Sequence, residues 1–367
     1  MNEVRGTVLY IGGFELPDKN AAAHRVLSVA KIFRDLGYNV EFLNKTNAPV
    51  KYDTIEGFTV HNQPKATSPS AQVRSLFRTK DVINYLKSNP DVVCVVAYNY
   101  PSFALNRIRK YCNKKNIKCI ADVTEWYKSF YLNPLRVITK GIDSVYRMRY
   151  VHKKLDGIIA ISDYLEKYYS SKVKVINLPP LVDKTEAKWK IEKSEHKGTK
   201  FVYAGSPSRT KERLDLIVDA VENLSESFDV SLSVVGITEN QFFKMYDIVP
   251  KPYSCIKFLG KVSHTEALNC VAQADYSFLI RDENRVTLAG FPTKFVESIS
   301  AGTAVIANDN SNVARYLEEG VGGYIVDSAN LVSEVERIVG QSIPRVDTER
   351  FDYCKYIDDM KAFVNSI

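Results

Sequence analysis

The chain has 367 residues, more than one hydrophobic core normally organises, so we expect two domains. Its 45% hydrophobic and 25% charged residues are typical of a globular protein, and no apolar run approaches the ~20 residues of a membrane span. The histidines and cysteines are scattered, so we expect no metal site and reduced thiols in the cytoplasm. A strand predicted from Thr7 leaves no room for a signal peptide.

Charge divides the chain into two halves. Residues 1–180 carry 28 Lys and Arg against 15 Asp and Glu, whereas residues 181–367 carry 22 against 28. The densest basic region is 105–154, where aromatic residues are interleaved with Lys and Arg. This composition suits an anionic membrane surface or a nucleic acid, and a solvated helical face is the third interpretation.

In the first half, short apolar runs alternate with stretches of helical periodicity. The predicted strands are Thr7–Ile11, Val40–Leu43, Phe58–His61, Val92–Ala97, Lys118–Asp122, Gly157–Ile161 and Val173–Ile176. The predicted helices are Ala21–Leu36, Ser70–Ser88, Ser102–Lys115, Arg136–Leu155 and Ser162–Tyr169. Strands rich in Val and Ile that alternate with helices indicate a parallel sheet covered on both faces.

The pattern restarts after Leu178-Pro-Pro-Leu181 and the polar stretch 184–200. The predicted strands are Phe201–Ala204, Val230–Val235, Ile256–Leu259, Tyr276–Ile280, Thr303–Ala307 and Gly323–Val326. The predicted helices are Lys211–Asn223, Asn240–Ile248, His264–Ala274, Pro292–Ala301, Asn312–Glu318, Ala329–Val339 and Phe351–Val364. We therefore predict an α/β fold of two Rossmann-like domains, 1–180 and 181–345, that face each other across a ligand cleft, with a C-terminal helix at 346–367.

Candidate ligand-binding residues follow two strands of the first half. Gly13 lets the backbone approach a ligand after the first strand, and Arg25 lies in the next helix. Asp122, Glu125 and Trp126 come at the end of another strand, where carboxylates can hold sugar hydroxyls and a ring can stack on the sugar. Alternatively, Asp122 caps a turn and Trp126 packs in the core.

Candidate phosphate-binding residues follow the strand Phe201–Ala204. Gly205 permits a tight turn, and the cations Arg209, Lys211 and Arg213 lie before or at the start of the next predicted helix. Three cations in so short a segment cannot all face one point, so we favour Lys211 and Arg209. Each of them could instead be an exposed loop cation.

The most informative stretch is Gly290–Ile306. Pro292, Thr293 and Lys294 begin a predicted helix whose N-terminus suits a phosphate, and Glu297 lies about one turn further, where it can accept hydrogen bonds from sugar hydroxyls. Arg281 precedes this stretch and can either reach the same anion or pair with one of the two acids that follow it. The alternative for Glu297 is a solvated helix residue.

Three segments resemble the family-4-type glycosyltransferases, whose two-domain fold is called GT-B. They are Phe201–Lys211, the segment 258–268 that contains Gly260, and Gly290–Ile306. The resemblance covers nearly the whole chain. It implies a retaining hexosyl transfer from a nucleoside-diphosphate sugar of the UDP or GDP type, with no metal and no other cofactor.

The resemblance also implies residue roles. Lys211 and Arg209, with the helix start near Thr293, would stabilise the leaving diphosphate. Gly260 would lie beside the nucleotide base, and Glu297 would orient the ribose. The residues of the first half that would bind the acceptor are Gly13, Arg25, Asp122, Glu125 and Trp126. The sequence departs from the family at three positions, where the usual glutamate, arginine and acceptor-side histidine are replaced by Ala289, Ser206 and Thr124.

From these features we expect a cytoplasmic enzyme, peripheral on the inner face of the cell membrane, that acts in cell-surface polysaccharide synthesis. Its partners would be a nucleoside-diphosphate sugar, a glycan or lipid-linked glycan acceptor, and an anionic membrane surface that contacts the basic N-terminal half. We expect no nucleic-acid partner. Two alternatives are a sugar-nucleotide epimerase of related fold and a catalytically inactive nucleotide-binding subunit.

Overall fold

The computed structural model describes residues 5–16, 21–46, 53–126, 137–209 and 211–367, with the backbone alone at 137–139 and 319. The chain divides into two compact units. The first comprises Met1–Leu181 and Tyr353–Ile367, and the second comprises Val182–Asp352. The first division nearly coincides with the predicted boundary at 180/181, whereas the return to the first unit begins at Tyr353 rather than at residue 346.

The first unit is built on a largely parallel sheet. Its strands are β1 Thr7–Gly12, β2 Asn39–Thr46, β3 Thr54–Ile55, β4 Phe58–Pro64, β5 Val92–Tyr98, β6 Lys118–Val123, β7 Gly157–Ala160 and β8 Lys174–Asn177. Within the described residues their order is β3-β4-β2-β1-β5-β6-β7-β8, and β3 against β4 is the antiparallel pair. The apolar strands β1 and β7 are buried at every position, which requires cover on both faces of the sheet.

Helices follow most of these strands. They are α1 Ala21–Asp35, α2 Pro69–Ser75, α3 Lys80–Ser88, α4 Ser102–Lys114, α5 Asp143–Tyr146 and α6 Asp163–Tyr169. The prediction of one helix over Ser70–Ser88 is wrong, because the chain breaks between α2 and α3. At the break the carbonyl of Leu76 accepts a hydrogen bond from the backbone N–H of Ala104 (2.9 Å), so a tertiary contact replaces the next helical turn.

The predicted helix Arg136–Leu155 is irregular. Arg136 lies outside the described residues, and π-helical turns flank α5 over the stretch 137–151. The carboxylate of Asp143 accepts a hydrogen bond from the backbone N–H of Ser102 (2.7 Å), and Arg147 donates to the carbonyls of Asn99 and Tyr100 (both 3.1 Å). These buried polar contacts fix the stretch against the loop between β5 and α4.

The last residues of the chain complete the core of the first unit. A short 3₁₀ turn, Tyr353–Tyr356, leads into α13, Ile357–Asn365. Met360 and Phe363 of this helix are buried in the same apolar cluster as β1 and α1. A Cβ atom on Gly157 would lie 2.6 Å from the Phe363 ring, so the glycine in β7 admits the helix.

The second unit repeats the parallel architecture. Its strands are β9 Thr199–Ala204, β10 Val230–Val235, β11 Ile256–Gly260, β12 Tyr276–Leu279, β13 Ala304–Ala307, β14 Glu318–Glu319 and β15 Gly322–Ile325. Within the described residues they form a parallel sheet in the order β11-β10-β9-β12-β13-β15-β14. The prediction of an α/β fold with two Rossmann-like sheets is therefore confirmed.

The helices of the second unit are α7 Leu214–Leu224, α8 Glu239–Tyr246, α9 His264–Ala272, α10 Arg285–Ala289, α11 Thr293–Ser300 and α12 Leu331–Val339. The sequence predicts α7 from Lys211, but the helix begins at Leu214. The preceding residues run beside β12 instead, since Glu212 bridges to Arg281 and the N–H of Arg213 donates to the carbonyl of Ile280 (3.0 Å). Throughout the described ranges, no helix combines the length and apolar character that a membrane crossing needs.

Candidate functional site

Glycines end three neighbouring strands of the second unit. Gly205 follows β9, Gly236 follows β10 and Gly260 ends β11, and all three have positive φ angles. The N–H of Gly205 donates to Val235 O (3.0 Å), and that of Gly236 donates to Gly260 O (2.7 Å). A Cβ atom on Gly236 would lie 2.1 Å from the carbonyl oxygen of Gly205, so a side chain there would displace the backbone. The sheet edge therefore presents bare backbone at the carboxyl ends of its strands, where ligands bind in such folds.

A buried polar network lies beneath Gly205. Lys294 Nζ donates to Glu212 Oε1 (2.8 Å) and to the hydroxyl of Tyr203 (2.9 Å), and that hydroxyl donates to Glu212 Oε2 (2.7 Å). A Cβ atom on Gly205 would lie 2.5 Å from Lys294 Cε, so the glycine makes room for the lysine side chain. Lys294, predicted to contact the nucleotide, is thus engaged within the unit and supports the glycine turn.

The ionisation of this network follows from its burial and its charges. Burial favours a raised pKa for Glu212, but the charge of Lys294 and the hydrogen bonds from Lys294 and Tyr203 outweigh it and lower the pKa. Burial lowers the pKa of Lys294, Glu212 opposes that shift, and the positive charge of Arg281 adds to it. The carboxylate of Glu212 is therefore held by two neighbours, Lys294 and Tyr203.

Arg281 lies just beyond the end of β12 and is 9% exposed. Its Nε and Nη1 atoms are buried and have no hydrogen-bond partner within the described part of the chain. Burial lowers the pKa of its guanidinium, while Glu212 and Tyr203 oppose that shift. The backbone of Arg281 is fixed by Asn308, which accepts from its N–H (2.8 Å) and donates to its carbonyl (2.9 Å).

A buried guanidinium with unmet donors is unusual, because buried polar groups are normally hydrogen-bonded. The alternative in which Arg281 pairs with Asp282 or Glu283 is not what the structure has. Instead, Oδ1 of Asp282 lies 3.6 Å from Nη1 of Arg213. The Nε and Nη1 donors of Arg281 are therefore unmet within the described residues.

The three cations of the segment after β9 diverge. Arg209 forms an exposed ion pair with Asp247. Arg213 donates to the carboxylate of Asp215, at a shortest distance of 2.7 Å. Lys211 is exposed and makes no ion pair with any residue of the described ranges. Of the two cations favoured from the sequence, Lys211 is uncommitted, whereas Arg209 is held at the surface.

The helix α11 adds backbone donors and an acid. It begins after Pro292, whose side chain provides no cap. The N–H of Phe295 donates to the carbonyl of Pro292 (3.1 Å), which leaves the N–H groups of Thr293 and Lys294 without a partner inside the helix. Glu297 is half-buried, and its Oε1 lies 3.2 Å from Nε2 of His264 at the start of α9. No local pattern points to His264 as a partner of Glu297, because the two residues are distant in the chain and meet through the packing of two helices.

The position of the missing family glutamate is buried. Ala289 ends the short helix α10 and has no exposed surface. Asn284 caps this helix by accepting hydrogen bonds from the N–H groups of Val286 and Thr287 (3.0 and 3.1 Å). Periodicity does not reveal α10, because a helix of five residues is too short to show a repeat.

In the first unit, Asp122 and Arg25 bind each other. Asp122 has no exposed surface, and its carboxylate accepts hydrogen bonds from Arg25 Nε (2.8 Å) and the Tyr10 hydroxyl (2.7 Å). Arg25 Nη1 donates to the carbonyls of Leu178 and Pro179 (3.0 and 3.2 Å). Both were predicted to bind an acceptor, and the geometry instead favours a structural ion pair that anchors the end of the β8 segment.

The other predicted acceptor residues differ in accessibility. Glu125 and Trp126 are half-buried, and the Trp126 ring packs edge-on against Tyr168, at 5.0 Å between centroids. Thr124 is 8% exposed and donates weakly to the Tyr98 hydroxyl (3.4 Å). Gly13 is exposed, with open space around the position of a Cβ atom. Gly13 therefore lies at an open edge, whereas the Trp126 group is tied to neighbouring aromatic rings.

The chain is similar to known proteins over one unit in sequence and over both units in structure. Residues 198–341 match the family described as glycosyl transferases group 1. A phosphatidyl-myo-inositol mannosyltransferase of Mycobacterium tuberculosis is 24% identical over 185 residues, which are 49% of this chain and 47% of the mannosyltransferase. The chain thus matches about half the length of this curated relative.

Solved structures extend the likeness to the whole chain. A sucrose-phosphate synthase from Thermosynechococcus elongatus has a TM-score of 0.70 at 13% identity, with 98% of each chain covered. The Anabaena protein HepE, solved in a complex with UDP, has a TM-score of 0.68 at 13% identity and covers 99% of this chain and all of its own. At such identities the likeness shows the fold. The resemblance to family-4-type glycosyltransferases of GT-B fold is confirmed.

Proposed function

We propose that the protein, whose residues 198–341 match the glycosyl transferases group 1, transfers a hexose from a nucleoside-diphosphate sugar to a glycan or lipid-linked glycan. The donor is of the UDP or GDP type, and the product keeps the anomeric configuration of the donor. This activity belongs to cell-surface polysaccharide synthesis.

One observation carries the proposal. The guanidinium of Arg281 is buried with two unpartnered nitrogen atoms, and it lies in the unit whose sheet edge consists of bare glycine backbone. A diphosphate satisfies such a guanidinium with charge-assisted hydrogen bonds, and glycine backbone lets it approach closely. HepE, which shares this fold, is described in a complex with UDP.

The remaining residues divide the nucleotide between them. Arg281 and the first turn of α11 near Thr293 hold the diphosphate, and the exposed Lys211 approaches it from solvent. Glu297, with His264 beside it, accepts hydrogen bonds from the ribose hydroxyls, and Gly260 leaves room for the base.

Catalysis follows from where charge develops. The bond between the anomeric carbon and the diphosphate oxygen breaks while the acceptor oxygen bonds to that carbon, and the leaving phosphate takes the acceptor proton. Cations and helix N–H groups aimed at the leaving oxygen stabilise the transition state more than the ground state. Because Arg281, Lys211 and α11 supply that positive charge, we propose that no metal is obligatory. Transfer in excess chelator should then equal transfer with added Mg²⁺.

The test is to incubate the protein with UDP- and GDP-sugars, with and without a glycan acceptor, and to follow both nucleotide release and the sugar. Acceptor-dependent release of nucleoside diphosphate, with the donor's anomeric configuration in the product, supports the proposal. Conversion of the sugar without an acceptor would identify the epimerase alternative. Nucleotide binding without turnover of any donor would identify an inactive subunit.

We further propose that the first unit docks on an anionic membrane. The rings of Phe77, Phe103, Tyr146 and Tyr150 form a continuous ladder, with centroids 4.8 to 6.0 Å apart from one ring to the next. Phe77 and Tyr150 are 41% and 57% exposed. Arg107 lies 5.7 Å from the centre of the Phe77 ring, and Lys110 and Arg149 are exposed on the elements that carry the ladder. Amphipathic rings and cations together suit an anionic lipid surface.

Vesicle sedimentation tests this surface. The protein should bind phosphatidylglycerol vesicles more than phosphatidylcholine vesicles, and the double variant Phe77→Ser/Tyr150→Ser should bind less. Val249→Ser is the matched control, because Val249 is 81% exposed and lies in the second unit. Equal binding to both vesicle types would contradict the docking proposal. Arg147, predicted to be part of the basic surface, is buried and does not contribute.

A further inference from the structure

A cavity lies at the carboxyl ends of four neighbouring strands of the first unit. Its volume is about 880 Å³. Gly12 and Gly13 line it at the end of β1, Lys45 in β2, Pro64 at the end of β4 and Tyr100 just after β5. Parallel sheets bind ligands outside the carboxyl ends of their strands, and this volume is in the range of small-molecule sites.

The wall of the cavity is strongly basic. Its charged lining residues are Lys45, Lys65, Arg74, Arg78, Lys140 and the single acid Asp81. Asp81 is bound by Arg78 (2.8 Å), and Lys65 is bound by Glu15 (2.9 Å), so those charges are satisfied within the unit. No carboxylate of the described ranges pairs with Lys45, Arg74 or Lys140, which leaves a net positive charge facing the cavity.

Among the cations of the cavity, Lys45 is held in place by burial and by a contact with an aromatic ring. Its side chain is half-buried, and Nζ lies 4.3 Å from the centre of the Tyr100 ring. Burial lowers the pKa of Lys45 to about 8, with Asp81 opposing the shift and Arg78 adding to it. A ring face holds an ammonium without using its N–H donors, so these donors are free for an anionic ligand.

We propose that this cavity binds the acceptor through an anionic substituent, a phosphate or a carboxylate, and that Lys45 contacts that group directly. The identification of the ligand as an acceptor rests on the proposed transferase function, whereas the anion site itself rests on the cavity and its charges. Acceptor recognition is thereby assigned to this cavity and differs in part from the site predicted from the sequence. Gly13 lines the cavity, whereas Asp122, Arg25 and Trp126 do not.

Calorimetric titration of the full chain with three sugars, without any donor, tests the anion site. The probes are glucose, glucose 6-phosphate and glucuronate, which share a ring and differ in charge. We expect at least one anionic sugar to bind about tenfold or more tightly than glucose, because one charge-assisted hydrogen bond contributes that much. The tighter of the two anions identifies the substituent as phosphate or carboxylate.

The variant Lys45→Met should abolish this preference, leaving all three probes about equally weak. Lys110→Met is the matched control, because it removes one exposed lysine from the same unit outside the cavity. A UDP-induced shift in melting temperature that Lys45→Met leaves intact shows that the variant folds. An Arg74→Met variant, on the exposed rim, should weaken the anion less.

Two results would overturn the proposal: glucose binding as tightly as both anions, or Lys110→Met losing as much affinity as Lys45→Met. The second result would assign the effect to the net charge of the unit. Because these titrations need no turnover, they separate a failed anion site from a failed transferase assignment. Anion binding without sugar transfer would retain the site and refute the transferase.

Discussion

Two buried arginines, one in each unit, end up in opposite states. Arg25 is 4% exposed and gives Nε to Asp122 and Nη1 to two carbonyls, so its charge is paired and Nη2 is the one nitrogen of this side chain without a partner in the described residues. Arg281 is 9% exposed, yet its Nε and Nη1 have no partner in the described residues, and the carboxylate of Glu212, whose charge acts on it, is held by Lys294 and Tyr203. A buried guanidinium is therefore paired with a carboxylate in the first unit (a closed site) and is not paired in the second (an open site).

This contrast separates a charge that the fold pairs from a charge that is left for a ligand. A closed buried pair has already exchanged its hydration for protein contacts, and removing one partner exposes the other to the full cost of burial. An open buried cation carries that cost in the free protein and recovers it when an anion binds. Substitutions at the two sites should therefore change different observables.

The largest effect is expected for Asp122→Ala. It removes the acceptor of both Arg25 and the Tyr10 hydroxyl inside the core of the first unit, so the free energy of unfolding should fall by about 3–5 kcal/mol. Urea unfolding followed by circular dichroism measures this loss. The double variant Asp122→Ala/Arg25→Met should regain part of it, because no charge is then left unpaired. A loss below about 1 kcal/mol would mean that the pair is not a structural element.

Arg281→Met should act on function and spare the fold. Loss of one donor aimed at a leaving oxygen costs about 10²–10³ in rate, so transfer should fall by that factor and the UDP-induced stabilisation should vanish. Its free energy of unfolding should stay equal or rise, because a buried unpaired charge is removed. Asp122→Ala and Arg281→Met thus form a reciprocal pair, and a destabilised Arg281→Met variant with normal transfer would reverse our assignment.

The sequence predicted the sheets well because runs of Val and Ile carry their own signal. Predicted Val230–Val235 matches β10 at both ends, and β9 and β13 differ by only a few residues. Ser70–Ser88 was mispredicted because a hydrogen bond from Ala104 ends α2, and no local pattern encodes that contact.

The site was less predictable, since charges choose partners through the fold. Asp282 and Glu283 adjoin Arg281 in sequence, so no local argument could decide whether they neutralise it. Similarly, no residue near Asp122 in the chain indicates that Arg25 is its partner, so the sequence alone allowed Asp122 to bind a sugar. The glycine turn at Gly205 was predictable. Its support by Lys294 was not, because Lys294 lies on a helix about 90 residues further along the chain and reaches the turn only in the packed fold.

Glu297→Ala should weaken nucleotide binding by about 10- to 100-fold, the equivalent of one or two hydrogen bonds to a carboxylate. Titration with UDP measures the loss, and Glu297→Gln should lose less because the amide oxygen still accepts. The sharper readout is UDP lacking both ribose hydroxyls, whose affinity the substitution should leave unchanged. An equal loss for both nucleotides would move Glu297 away from the ribose.

The smallest effect is expected for Arg209→Met, although the sequence favoured this residue as a catalytic cation. Arg209 pairs with Asp247 on the exposed surface, and such pairs contribute about 0–1 kcal/mol to stability. UDP affinity and transfer should therefore change by less than about threefold, against the 10²–10³ expected for Arg281→Met. Lys211→Met should fall between the two, because Lys211 is uncommitted but solvated. If Arg209→Met instead matched Arg281→Met, Arg209 would have to leave Asp247 when nucleotide binds, and the diphosphate would be held by the loop after β9 as well as by the buried guanidinium.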